Sequence, residues 1–296
     1  MNSLRKTNFL FPALVLLAAS LACGRSAATE QPVDALITTT VGGLERTYEL
    51  YVPEGIMSGE QVPLVFVFHG YGGNAQAARL ISGFNRFAKD NHFIVVYPNG
   101  TGESPDTLSW NGGRCCFYAR DHDIDDVAFV RQLVEEIEAQ YSIDPQRVYA
   151  TGMSNGGIFS YRLACEMADT FAAVAPVAGS FLYEPCQPSE PISILHIHGL
   201  EDNVVPYDGV NLVPELTDVN FTPIEEGVAF WAGQDDCPDT PEVTRDGNVT
   251  HTVYAPCADG TAVELYALDG VGHAWPFVEL QSSRVIWEFF EAHPKP

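Results

Sequence analysis

The sequence predicts an α/β fold: one mostly parallel sheet flanked by helices, with no large cap domain. Three observations carry this expectation. Short β-prone runs alternate along the chain with amphipathic helical patterns, which is how strand–helix–strand units read. Leu64–Phe68 and Phe93–Tyr97 are continuously apolar, as strands covered on both faces must be. No repeat and no low-complexity linker interrupts the pattern, so a single domain is expected.

The elements follow in order. Arg46–Val52 alternates in polarity like an edge strand, and Leu64–Phe68 and Phe93–Tyr97 are the next two strands. Asp126–Tyr141 sets Val127, Val130, Val134, Ile137 and Tyr141 at helical spacing. Val148–Ala150 reads as a strand and Ile158–Met167 as a helix. Ala172–Val177 and Ile194–Ile197 are strands, Ile224–Trp231 a helix, Val263–Leu268 the last strand and Val285–Phe290 the closing helix. Only the 13 residues Gly179–Pro191 separate two of the core strands. A large cap cannot be inserted there, so an open, shallow site is expected.

The chain has 296 residues, a net charge of −24 and 46% hydrophobic residues. The hydrophobic content excludes a disordered chain. The charge argues against nucleic acid and anionic lipid as partners and suits solubility outside the cell. Residues 1–22 read as a signal peptide, with Arg5 and Lys6 ahead of the apolar run Phe9–Ala22. That run has 14 residues, short of the roughly 20 needed to span a bilayer. Ser20-Leu21-Ala22-Cys23-Gly24 resembles a bacterial lipobox with Cys23 as the lipidated residue, and ordinary cleavage near Ser26-Ala27-Ala28 is the alternative. The expected organisation is a signal peptide over 1–22, an extension over 23–44 and the α/β domain over 45–296. The protein is then secreted, or held at a bacterial outer membrane solely through an N-terminal lipid.

Apart from Cys23 the chain has six cysteines, an even number that suggests disulfides in an exported protein. Cys237 and Cys257 bracket a polar, turn-rich excursion and are expected to pair. Cys115 and Cys116 are adjacent and are expected to reach Cys165 and Cys186, in an order the sequence leaves open. The spacing fits no common zinc pattern, and no metal or cofactor is expected.

Gly152-Met153-Ser154-Asn155-Gly156 lies between the strand ending at Ala150 and the helix beginning at Ile158. A G-x-S-x-G in that context is a nucleophile elbow. The turn demands glycines on both sides, because a Cβ there would strike the neighbouring strand or helix. A serine nucleophile needs a base and an orienting acid. In this fold the chain order is Ser, acid, His. Asp202 follows the strand Ile194–Ile197 and His273 follows the last strand, both at loop tips on the same sheet edge. His273 is therefore the expected base and Asp202 the expected orienting acid, with Glu201 its rival. His69 is expected to support a turn, and His196 and His198 to be packed on their strand. His122, in Asp121-His122-Asp123-Ile124-Asp125-Asp126, could suggest a metal, but a solvated turn and helix start explains it. His92, His251 and His293 have surface-like contexts. His69-Gly70-Tyr71-Gly72-Gly73 follows a buried strand, where an oxyanion loop belongs. The N–H groups of Tyr71 and Asn155 are the expected oxyanion donors. Losing one such donor typically costs about 3–4 kcal/mol of transition-state stabilisation.

The blocks HGYGGNA, YPNGT, SWNGGRCC, IDDVAFV, RVYATGMSNGG, FAAVAPVAG, HIHGLEDNVVPY and GHAWP occur in this order. Together they resemble the polyhydroxybutyrate depolymerase and feruloyl esterase group of α/β-hydrolases, over roughly residues 45–290. The resemblance implies an α/β-hydrolase fold and a serine carboxylesterase with Ser154, Asp202 and His273 as its triad. It leaves open polyester depolymerase, hydroxycinnamoyl esterase and acetyl xylan esterase. Depolymerases of crystalline polymer usually carry a linker and a polymer-binding domain, and this sequence reads as neither. Asn99–Asp125, with Trp110 and the Cys115-Cys116 pair, is expected to form one wall of the site, and Trp275 the other. Two aromatic walls suit a phenolic acyl group or a sugar ring. The expected substrate is therefore a polysaccharide-linked or oligomeric ester, first of all a feruloyl ester. Sequons at Asn99, Asn220 and Asn248 matter only on a eukaryotic secretory route. A non-catalytic binding protein on a hydrolase scaffold is the remote alternative, and the intact Ser, Asp, His and oxyanion-loop set argues against it.

Overall fold

The computed structural model describes residues 36–211 and 218–296. The expected signal peptide over 1–22, Cys23 and residues 24–35 of the expected extension lie outside the described residues. In chain order the elements are β1 (Leu36–Val41), β2 (Leu44–Tyr51), β3 (Val62–Phe68), α1 (Ala75–Ser82), α2 (Phe84–Asn91), β4 (Ile94–Pro98), α3 (Phe117–Asp121), α4 (Asp126–Glu138), β5 (Ile143–Met153) and α5 (Asn155–Glu166). They continue with β6 (Ala173–Val177), β7 (Ser193–Gly199), α6 (Ile224–Gln234), β8 (Glu242–Asp246), β9 (Val249–Tyr254), β10 (Val263–Leu268) and α7 (Ser282–Ala292).

Among the described residues the strands form one sheet in the order β1-β2-β4-β3-β5-β6-β7-β10-β9-β8. Its centre, from β4 to β10, is parallel, and antiparallel strands extend it at both ends. The apolar runs explain the buried centre: every residue of β3, β4, β6 and β7 is buried. The period of two then divides each strand between two cores. Leu64, Phe66 and Phe68 pack with Phe129 of α4, Leu163 of α5 and Trp231 of α6. Val65 and Val67 pack on the other face with Ala78 of α1, Phe84 of α2 and Trp287 of α7.

Several elements differ from the sequence expectation. Arg46–Val52 corresponds to β2, but β2 is no edge: β1 pairs along it in register Leu36↔Glu49 to Val41↔Leu44. The sheet thus begins at Leu36, inside the expected extension. Helices α1 and α2 went unread because each has only 8 residues. Asn74 starts α1 by accepting from Ala77 N, and Gly83, at φ 60°, ends it. The excursion between Cys237 and Cys257 is largely the hairpin β8–β9, turned by Asp246-Gly247-Asn248 with Gly247 at φ 58°.

Asp126, expected on a solvated helix start, is fully buried. Its Oδ1 takes Arg46 Nη2 of β2 at 2.7 Å and its Oδ2 takes Asn111 N at 2.8 Å. A buried carboxylate persists only when paired in this way. Asp125 is the residue that caps α4, accepting from Ala128 N. This pairing pins the segment between β4 and α4 against the sheet.

The cysteines pair as Cys115–Cys116, Cys165–Cys186 and Cys237–Cys257. The last matches the expectation and the other two correct it. Cys165 of α5 and Cys186 stand 5.1 Å apart between α-carbons, within ordinary disulfide reach. Cys115 and Cys116 lie instead in a separate buried cluster with Ile158, Leu182 and Val205. The Cys165–Cys186 bond closes a loop of sequence separation 21. Replacing both residues by serine is expected to lower unfolding stability by about 3 kcal/mol, read from urea denaturation against the wild type.

Candidate active site

β5 ends at Met153, and α5 starts at Asn155, leaving Ser154 at φ 57°, ψ −122°. This is a strained conformation for a residue with a side chain, worth roughly 1–3 kcal/mol. Ser154 N donates to Val177 O of β6 at 2.9 Å, and Ser154 O accepts from Ile158 N at 2.9 Å. The flanking glycines are required as anticipated. A Cβ on Gly152 would lie 2.6 Å from the Gly156 carbonyl, and one on Gly156 would collide with Phe68 O.

β7 and β10 are neighbours in the sheet, so the loops that leave their carboxyl ends meet. Glu201 N donates to Val271 O at 3.0 Å, and a Cβ on Gly199 would strike that same carbonyl. The result is that His273 Nδ1 lies 2.7 Å from Asp202 Oδ2. Asp202, rather than the exposed Glu201, is the acid brought to His273. Asp202 Oδ1 accepts from Val204 N at 2.8 Å and Val205 N at 2.9 Å. Burial alone would raise the Asp202 carboxyl. Hydrogen bonds from His198, His273 and Val205 N, together with the charge on His273, outweigh it and hold the carboxyl well below the usual carboxylate range.

The His69–Gly73 loop follows β3 and presses on the elbow: a Cβ on Gly70 would sit 3.3 Å from Ser154 Cβ. Gly73 N donates to Gly70 O at 3.0 Å and Gly72 N to Leu108 O at 2.9 Å. Gly100 N donates to His69 Nε2 at 3.0 Å, so the His69 proton is on Nδ1 and points at Gly70 O, 2.7 Å away. Burial pushes the His69 imidazole down to about 4, which keeps it neutral. The backbone N–H groups of Tyr71 and Asn155 donate to no protein acceptor among the described residues.

Ser154 and His273 open into one cleft of about 230 Å³. Its apolar wall is α1, through Ala77, Ala78 and Ile81, with Met153 and Trp275 completing it. Trp275 lies at the cleft as expected, with its indole N–H donated to Ser283 Oγ at 3.0 Å. Trp110 does not. It is fully buried and stacked on Phe159, with its indole N–H given to His69 O at 3.0 Å. Its backbone makes a reciprocal pair with the Asn155 side chain, at 2.7 and 2.9 Å. The segment expected to form a wall is thus a strut under the His69–Gly73 loop. Its contribution at the surface is Phe117, stacked at 3.6 Å on the half-exposed Tyr71. The α1 wall could have been read from the Asn74 cap and the apolar residues Ala77, Ala78 and Ile81 that follow it at helical spacing. The Tyr71 ring could have been read from its place in the glycine loop.

A strand–turn–helix serine, an acid and a histidine on the next loops and a glycine loop beside them are the arrangement of an α/β-hydrolase. Residues 46–218 match the family described as Esterase PHB depolymerase, and the chain belongs to that family. It is 32% identical over 240 residues to feruloyl esterase B of Piromyces equi, across 77% of this chain and 44% of the relative. It is 31% identical over 255 residues to the putative esterase NocK of Nocardia uniformis subsp. tsuyamanensis, across 80% and 72%. The bifunctional acetylxylan esterase/xylanase XynS20E of Neocallimastix patriciarum is 25% identical, across 83% and 33%. The chain therefore spans less than half the length of two of these curated relatives. Among solved structures, the acetyl xylan esterase from Aspergillus awamori superposes with a TM-score of 0.62 at 17% identity, over 87% of this chain and 99% of that one. That likeness establishes the fold.

Proposed function

We propose that this protein is a serine carboxylesterase acting on esters of plant cell-wall polysaccharides, with feruloyl esters the preferred substrates. The observation that carries the reading is the 2.7 Å contact of His273 Nδ1 with Oδ2 of a buried Asp202 whose Oδ1 is held by two backbone N–H groups, with His273 in a cleft shared with Ser154. Asp202 fixes the His273 proton on Nδ1 and leaves the Nε2 lone pair to act as base. His273 takes the Ser154 hydroxyl proton as Oγ attacks the ester carbonyl. The oxyanion that forms is met by Tyr71 N–H and Asn155 N–H. Collapse expels the alcohol, which receives the proton from His273. Water then repeats the sequence on the acyl-enzyme, releasing the acid and regenerating Ser154.

The relatives named feruloyl esterase and acetylxylan esterase support a polysaccharide ester. The apolar α1 wall and the Tyr71–Phe117 stack favour a phenolic acyl group over an aliphatic one. Export fits the three disulfides and the signal-like residues 1–22, with Cys23 as a lipid attachment point if the lipobox is used. Among the described residues no helix is long and apolar enough to cross a membrane. The test compares methyl ferulate, acetylated xylan and a 3-hydroxybutyrate oligomer as substrates of one preparation. The expected order of kcat/KM is ferulate first and oligomer last; a preference for the oligomer would make the protein a depolymerase instead.

A further inference from the structure

Behind Asp202 lies a line of buried polar side chains that the proposed mechanism does not use. Tyr161 Oη of α5 is 2.7 Å from His196 Nδ1, and His196 Nε2 is 2.9 Å from His198 Nδ1. His198 Nε2 is 2.8 Å from Val205 O and 3.4 Å from Asp202 Oδ2. All three side chains are shut off from solvent. The strand period sets this up: His196 and His198 are two apart on β7 and face α5, while Leu195 and Ile197 face the other core.

The direction of every bond in the line follows from its last acceptor when each imidazole carries one proton. Val205 O can only accept, so His198 Nε2 carries a proton. With that one ring proton on His198, its Nδ1 is a lone pair and receives the His196 Nε2 proton. His196 Nδ1 is then also a lone pair, and Tyr161 O–H donates to it. Burial, and next the neighbouring His198, hold His196 well below the ordinary histidine range, so it stays neutral. The line is a set of aligned donors that ends in the His198 Nε2–H, bonded to Val205 O and 3.4 Å from Asp202 Oδ2.

We propose that Tyr161, His196 and His198 are positioning residues that present a fixed N–H dipole to Asp202 and thereby set how strongly His273 holds a proton. This rests on the esterase reading for its consequence, and on the geometry alone for its existence. The dipole stabilises the carboxylate and opposes a positive charge on His273. Removing it leaves a more basic Asp202, strengthens the Asp202–His273 hydrogen bond, and makes imidazolium easier to form. Because only unprotonated His273 can take the Ser154 proton, the acidic limb of kcat/KM then moves to higher pH. The other ionisable groups that face the line are few. Tyr207 meets His198 edge-on at 5.9 Å and is bonded to Glu225 of α6, and His273 approaches from the loop after β10. Across the sheet, β10 sets Leu265 and Ala267 beside the two histidines, so neither strand neighbour supplies a charge.

The test is the pH profile of kcat/KM on a soluble ester, together with an NMR titration of His273. His198→Phe is expected to raise both the acidic limb and the His273 midpoint by about 0.5–1 unit, the effect of losing one hydrogen bond to the charged form. Tyr161→Phe, which removes a single oxygen, is expected to move both in the same direction by less, and it serves if His198→Phe does not fold. His198→Gln, which can return an N–H near the Nε2 position, is expected to bring both back toward the wild type. Lower kcat with no movement of limb or midpoint in either Phe variant would make the line packing only and overturn the proposal. The NMR titration is repeated on Ser154→Ala protein. A failure of the esterase reading would appear there as unchanged turnover, while the His273 midpoint still reports on the line.

Discussion

Ser154→Ala is expected to lower turnover of p-nitrophenyl acetate by about 10⁶-fold, the size seen when a triad serine is removed. The magnitude is large because the proposed mechanism forms the acyl-enzyme on Oγ. His273 and the Tyr71 and Asn155 N–H groups can assist only a nucleophile that is present. The substitution is expected to leave the thermal midpoint nearly unchanged. Alanine keeps the same Cβ at φ 57°, and among the described residues no side-chain hydrogen bond of Ser154 holds the fold together. Asp202→Asn is expected to cost less, about 10⁴-fold, since the base remains but its tautomer is no longer enforced. Equal nitrophenol release by wild type and Ser154→Ala would end the esterase reading.

Trp110→Ala is expected to destabilise the protein by about 3–5 kcal/mol, measured by urea unfolding. The indole is fully buried, stacked at 5.2 Å on Phe159 and set edge-on at 5.2 Å to Phe68. Its removal opens a cavity under β3 and leaves His69 O without its donor. A tryptophan acting as a substrate wall would behave in the opposite way, changing KM while leaving stability intact. The loss should also reach catalysis, because the backbone of Trp110 and the side chain of Asn155 hold each other. Asn155 begins the helix behind the nucleophile. A drop in kcat larger than any rise in KM is the expected pattern in the fraction that folds.

The two corrected aromatic and cysteine expectations have a common origin. Trp110, Cys115 and Cys116 sit in the irregular segment between β4 and α4, where no periodicity says which side chains turn inward. The buried Arg46–Asp126 pair draws that segment onto the sheet, and a charge pair across a sequence separation of 80 leaves no local trace. Helices α1 and α2 were obscure for a different reason. Each is two turns long, and their stability comes from packing on the sheet more than from a sustained pattern.

The sequence by itself determined the parallel sheet, through continuous apolar runs that tolerate no solvent-facing side. It determined the elbow, because only glycines clear the backbone on both sides of Ser154. It also placed Asp202 and His273 as candidates, since both stand where strands end. The tertiary structure decided which of them touch. β7 and β10 are far apart in the chain and adjacent in the sheet, and that adjacency brings Asp202, not Glu201, to His273. It also decided the cleft wall and the line from Tyr161 to His198. These depend on which face of each strand meets which helix, a relation that exists only once the two cores have closed.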